Sequence, residues 1–228
     1  MLLCCLDCES TGVEVFEDRI VTVFAGVLDT DTGKWADSIN LLVNPGIDIP
    51  AEATAVHGIS TRVARSFGIR PQDAIERISV FLSRYADLPL VVMNANYDLS
   101  LLDAEFSRYG YEDMGWADFF RVVDPLVLDR HFDKWRKGKR RLANLAEHYG
   151  VTVDEEMLHD AAGDCFLAGM VAARQIEMYG IPTNEEQAQY YAEWARSYED
   201  WLHSQGKTDI IDTSWPVRYQ KADMVDCS

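Results

Sequence analysis

Residues 1–12, MLLCCLDCESTG, interleave two spacings with different chemistry. Cys5 and Cys8 form C-x-x-C, the spacing of a redox dithiol or half a zinc site. Asp7 and Glu9 form D-x-E, a carboxylate pair able to hold a hard divalent cation. Residues 1–8 are apolar except for Asp7, so the stretch reads as a buried strand. Side chains alternate along a strand, which puts Asp7 and Glu9 on one face. Cys5 and Cys8, three apart, then point to opposite faces, with Cys8 away from the carboxylates. No second C-x-x-C completes a zinc site, because Cys165 and Cys227 stand alone. The cysteines are therefore read as small apolar strand residues. Two like charges at the end of an apolar strand are costly unless a cation lies between them. Ser10, Thr11 and Gly12 follow, small residues that let a ligand come close to the backbone.

Outward from that strand, residues 19–28 (RIVTVFAGVL) are rich in β-branched residues, and turn chemistry follows at Asp31-Thr32-Gly33. A third strand is expected over residues 38–43, giving an antiparallel opening of three strands. Helices come next. Pro71 opens one with Ile75, Ile78, Leu82 and Tyr85 at helical steps. Residues 90–93 read as a short buried strand and residues 99–109 as a helix closed by Gly110. A last strand is expected at 121–123, with helices at about 141–149 and 161–179. The fold class is α/β, a mixed sheet flanked by helices. Gly180-Ile181-Pro182 marks a break, dividing the chain into a domain at 1–180 and a helical extension and tail at 181–228. In the extension, Thr183 and Glu186 form a capping box. Its helix carries Tyr191, Trp194, Tyr198 and Trp201 on one face, a stripe expected to dock on the domain rather than to stack bases.

The chain has 228 residues, is 48% hydrophobic and carries a net charge of -17. That size suits one domain with an appended segment. No apolar run reaches the length of a membrane span, and the start lacks a secretory leader. Together with five cysteines, an odd number, this gives a cytoplasmic expectation. The acidic balance argues against a polyanionic substrate only where the sign is uniform. Residues 134–141, KWRKGKRR, are strongly basic; they read either as a solvated loop or as an arm that grips phosphates.

Two further elements carry chemistry. NANYDLSLLDAEF places Asp98 between a strand and a helix start, where it could be a cap. HDAAGDCFLAGM places His159 five residues before Asp164. On one continuous helix that step leaves the side chains about 140° apart. They converge better if the helix starts after Asp160, leaving Asp164 in its second turn. Together the three elements offer four carboxylates and one histidine. Oxygen ligands suit Mg2+ or Mn2+ rather than zinc, and carboxylates around two such ions fit in-line phosphoryl displacement. A histidine titrating near neutrality can take the proton from the attacking water.

These motifs resemble those of the DnaQ-like 3′→5′ exonucleases of the DEDDh class, over residues 2–178. LDCESTG, NANYDLSLLDAEF and HDAAGDC match its three motifs in order and spacing, and TAVHGIS at 54–60 is similar to its His-Gly-Ile loop. The sister subclass has a tyrosine four residues before the last aspartate, where this chain has Asp160. The resemblance implies a ribonuclease-H-like mixed five-stranded sheet whose first three strands are antiparallel. It implies metal ligation by Asp7, Glu9, Asp98 and Asp164, two divalent ions, and His159 as general base. Ser10, Thr11, Gly12, His57, Ile59 and Asn94 would seat the terminal nucleotide. The implied partner is a single-stranded or frayed 3′ end of DNA, with RNA as the alternative and a non-catalytic accessory module as the distant rival. A polymerase contact through the C-terminal segment follows by analogy. Met93 stands where many relatives of the class have histidine.

Overall fold

The computed structural model describes residues 1–111, 114–152 and 161–218. Its described strands form one mixed sheet in the order β3-β2-β1-β4-β5. β1 (Leu2–Ser10), β2 (Ile20–Asp29) and β3 (Lys34–Leu42) are antiparallel neighbours, as expected. β3 begins earlier than the sequence suggests, because Lys34 and Trp35 pair with Asp29 and Leu28 across the turn. β4 (Leu90–Val91) and β5 (Val122–Val123) add to β1 in parallel. The pairing of β1 with β2 shifts register between Glu9 and Ser10. Bulges of this kind re-aim side chains at the ends of strands.

Strand alternation decides which helices meet which residues. Cys4, Leu6 and Cys8 enter a core shared with α3 (Pro71–Arg84), α4 (Ala95–Arg108) and α9 (Asn184–Ser204). Leu3 and Cys5 enter the opposite core, against α8 (Ala161–Tyr179). α8 lies so close to β1 and β2 that a Cβ on Gly169 would fall 2.6 Å from Leu28 Cδ2 and 2.8 Å from Cys5 Sγ. Cys5 and Cys8 thus face opposite cores, and burial raises the thiol pKa of each. A dithiol there is excluded by geometry, and both thiols are inert.

Four short helices carry little periodicity. α1 (Ala51–His57), α2 (Thr61–Phe67), α5 (Trp116–Phe119) and α6 (Pro125–Phe132) are each eight residues or fewer, too short to hold a pattern without tertiary support. α7 (Leu142–His148) packs its Leu145 and Ala146 against α8.

α9 is built into the edge of the sheet. Its capping box is formed, with Thr183 N–H donating to Glu186 Oε2 at 2.8 Å and Glu186 N–H donating to Thr183 Oγ1 at 3.2 Å. Asn184 accepts the Val122 N–H at 3.0 Å. The fully buried Gln187 accepts the Asp124 N–H at 3.0 Å and donates to the Val122 carbonyl at 2.6 Å. These side chains satisfy the outer edge of β5, which would otherwise expose unpaired backbone. Beyond α9 the chain returns across α4, where Arg218 Nε donates to Asn96 Oδ1 at 2.6 Å and Asn96 Nδ2 donates to the Ser214 carbonyl at 2.7 Å.

Candidate active site

The carboxylates converge from three elements. β1 supplies Asp7 and Glu9 on its α8-facing side, α4 supplies Asp98, and α8 supplies Asp164 in its first turn. Asp98 lies inside the first turn of α4, not ahead of the helix as the sequence suggests. The helix starts at Ala95 because Asn94 adopts a left-handed conformation with φ 63°, a region asparagine tolerates better than most residues. Asp124 holds that turn, accepting the Asn94 and Ala95 N–H groups at 3.0 and 2.9 Å. Asp124 is itself 1% exposed and N-caps α6 by accepting from Leu126 N–H. Nothing in the motif spacing reveals this positioning carboxylate. The sequence signal for it is Asp124-Pro125, a cap residue before a proline at the first helical position.

Asp98, 4% exposed, accepts the Cys8 N–H at 3.0 Å, which ties α4 to the strand between Asp7 and Glu9. Electrostatics report the convergence. Burial drives the Asp7 carboxyl well above its usual range, and the charges of Asp98, Glu9 and Asp164 add to it in that order. Glu9 is raised by burial and then by Asp164. Asp98 is pushed up to about 8, again mainly by burial, although the Cys8 amide works in the opposite direction. Among the described residues, the neighbouring charges acting on Asp7 are all carboxylates, an arrangement costly on its own and relieved by cations among them. An all-oxygen donor set of this charge fits hard divalent ions.

Beside Glu9 opens a cavity of about 660 Å3, lined by Ser10, Thr11, Gly12, Val56, His57 and Tyr97 among others. Its floor is stiff. Tyr97 Oη donates to the Gly12 carbonyl at 2.5 Å, and Ser10 Oγ donates to the same carbonyl at 2.6 Å. Thr11 Oγ1 donates to Asp18 Oδ1 at 2.6 Å, and a Cβ on Gly12 would fall 2.5 Å from Asp18 Oδ2. A side chain at residue 12 would have to displace the Asp18 carboxylate that Thr11 holds. His57 closes α1 ahead of Gly58, whose φ is 77°. Its Nδ1 accepts the Ile59 N–H at 3.1 Å, which leaves Nε2 as the protonated nitrogen of the neutral ring, and the ring also interacts with the Ser10 backbone. Burial holds the His57 pKa below its ordinary value. Ile59 acts through that backbone amide while its side chain packs on Val21, Ile49 and Ala64. The structure thus brings Ser10, Thr11, Gly12 and His57 to one cavity and sets Asn94 at the mouth of α4. Tyr97 and Asp18 are the members that motif reading misses. His159 and Asp160 lie outside the described residues.

The basic run divides. Arg136 grips the fully buried Asp129 with Nε and Nη2 at 3.1 and 2.9 Å, and Arg140 Nε reaches the same carboxylate at 2.6 Å. These arginines are structural. Asp133 and His148 stand near Asp129 in a grouping that could hold a metal. The two guanidiniums and the Tyr149 hydroxyl, at 3.2 Å, already occupy the Asp129 oxygens. That carboxylate is neutralised by arginine.

Residues 4–171 match the RNase_T family, described as exonuclease. The chain belongs to this family. It is a 3′→5′ exonuclease of the DnaQ-like, ribonuclease-H-like group. It is 25% identical over 178 residues to DNA polymerase III subunit epsilon of Rickettsia conorii, covering 77% of this chain and 72% of that protein. The fold is similar to E. coli exonuclease I in complex with a dA16 oligonucleotide, with TM-score 0.64 and 17% identity over 89% of this chain and 45% of that one. It is also similar to the nuclease domain of 3′hExo, a DEDDh family member bound to rAMP, with TM-score 0.63 and 15% identity over 80% and 96% of the two chains. This chain thus spans less than half of exonuclease I. Among the described residues, no helix is long and apolar enough to cross a membrane.

Proposed function

We propose that this exonuclease is metal-dependent and removes nucleoside 5′-monophosphates one at a time from DNA 3′ ends. The observation that carries the reading is the meeting of Asp7, Glu9, Asp98 and Asp164 from β1, α4 and α8, with Asp7 feeling the other three. Asp7, Glu9, Asp98 and Asp164 hold two divalent ions, Mg2+ or Mn2+, which supply Lewis acidity at the scissile phosphate when bound. His159, by its place in the third motif, takes a proton from the attacking water on an imidazole nitrogen. The water oxygen bonds to phosphorus as the bond to the upstream 3′ oxygen breaks, and that oxygen takes a proton from solvent, leaving a shortened strand with a new 3′ hydroxyl. The cavity beside Glu9 seats the terminal nucleoside. Val56 offers an apolar wall, the Ser10–Gly12 turn a rigid floor, and His57 an imidazole beside the Ser10 backbone.

An exoribonuclease of the same fold is the second reading, since one structural neighbour is bound to rAMP and a 2′-hydroxyl adds only one donor and acceptor. Matched DNA and RNA oligonucleotides with Mg2+, Mn2+ or EDTA decide between them. The proposal expects 5′-monophosphates from DNA, faster than from RNA, and none in EDTA. Digestion undiminished by EDTA contradicts it, and faster RNA digestion selects the second reading.

A further inference from the structure

The aromatic stripe of α9 splits in the structure. Tyr191 is 7% exposed and donates its hydroxyl to Asn96 Oδ1 at 3.3 Å, so it docks as the sequence suggests. The rest of the stripe forms a column of rings that runs outward from Trp194, which is half-buried against the core, to the exposed Tyr198 and Trp201. Trp194 and Tyr198 stack with centroids 5.5 Å apart and planes 11° apart, and Tyr198 and Trp201 with 5.7 Å and 15°. The Arg130 guanidinium closes the lower end, 3.4 Å over Trp194. The upper end is open, with Tyr198 39% and Trp201 53% exposed.

The column points toward the catalytic end of the sheet. Asn184 binds at Val122 where β5 begins, Gln187 reaches Asp124 just past its end, and Tyr191 reaches Asn96 at the head of α4. α9 therefore climbs toward the ends of the parallel strands, and Trp194 to Trp201 continue about 10 Å further in that direction. Asp7, Glu9 and Asp98 sit at the same end. Below the column lies a groove of about 260 Å3 lined by Arg130, Lys134, Trp135, Tyr190, Glu193 and Trp194 among others. Trp135 is 87% exposed, with the Lys134 ammonium 5.6 Å from its ring. Lys137, Lys139 and Arg141 are exposed on the adjoining loop. Glu193 is the acidic member of the lining and accepts from Gln189 Nε2 at 3.0 Å.

We infer that this strip, formed by the α9 rings beyond the matched exonuclease region and the basic loop within it, binds the single-stranded nucleic acid upstream of the 3′ end. Bases stack on Trp201 and Trp135, and phosphates lie on Lys134 and the loop lysines. Parallel rings flanked by cations suit bases and phosphates together, whereas a protein partner gains nothing from the periodic ring spacing. The inference rests on the nuclease reading of the site for the direction of the strand.

Binding is measured with the full chain in EDTA, so no hydrolysis is needed, using a fluorescein-labelled thymidine oligonucleotide of roughly 20 nucleotides and a trinucleotide. Tyr198→Ala/Trp201→Ala should weaken binding of the long strand about tenfold or more and collapse the affinity ratio between long and short strands. Lys134→Gln/Lys137→Gln/Lys139→Gln should lower the slope of log affinity against log salt by about 2. Long-strand affinity within twofold of the parent in both variants overturns the inference. So does a defect confined to self-association or to capture of a polymerase, which would make the strip a protein interface. A chain that binds strands through the strip yet cuts none would refute the nuclease reading alone.

Discussion

Asp98→Asn should make the metal-free protein more stable while removing its response to metal. The folded carboxyl of Asp98 is pushed from an ordinary 3.8 up to about 8, with burial as the largest cause. An acid raised in the fold binds its proton more tightly there than when unfolded. Stability is therefore full below about 3.8 and falls as pH rises through the window up to about 8. At about pH 7 the window already crossed, at about 1.4 kcal/mol per pH unit, sets a ceiling of about 4 kcal/mol. Asparagine carries no charge, and its Oδ1 can still accept the Cys8 amide. In EDTA near neutral pH the variant should melt higher than the parent, by at most roughly 15 °C at about 2–4 °C per kcal/mol for a chain of this size. The parent alone should recover on adding Mn2+, gaining about 2.7 kcal/mol at a hundredfold excess over Kd. Thermal unfolding followed by circular dichroism across pH, with and without Mn2+, reads all of this. A variant that melts below the parent in EDTA, or a parent equally stable at about pH 5 and about pH 8, would refute the reasoning.

Other substitutions probe the frame around the site. Arg136→Ala/Arg140→Ala strips the buried Asp129 of both guanidiniums and should cost about 3–5 kcal/mol in urea unfolding; a loss below 1 kcal/mol would make these arginines dispensable. Gln187→Ala leaves the Asp124 amide and Val122 carbonyl unpaired. It should cost about 1–3 kcal/mol per orphaned group and expose α9 to limited proteolysis, and a protease-resistant variant of parental stability would contradict that. Gly169→Ala pushes a methyl into Leu28 and Cys5 and should destabilise by about 1–3 kcal/mol, measured by the same urea titration. A neutral result would mean that α8 can lift from the sheet without cost.

Much of the site is legible in the sequence because its logic is local. Alternation on β1 puts Asp7 and Glu9 on one face and separates Cys5 from Cys8, and both follow from a strand period of two. The start of α4 is not legible. Asn94 takes its left-handed turn under the hold of Asp124, thirty residues away, and only the folded chain brings that partner in. The basic run at 134–141 shows the same limit. Its charge is visible in sequence, but only the buried Asp129 reveals that Arg136 and Arg140 are internal while the lysines stay free for solvent. α1 and α2 are too short to announce themselves, yet α1 carries His57 to the cavity.

The most direct test of the central claim is a time course on 5′-labelled single-stranded DNA with Mn2+, for the parent and Asp7→Ala. The parent should yield a ladder shortened one nucleotide at a time from the 3′ end, and Asp7→Ala should leave the strand intact while remaining folded. Internal cleavage, immediate release of the labelled 5′ nucleotide, or an undiminished ladder from Asp7→Ala would contradict the account.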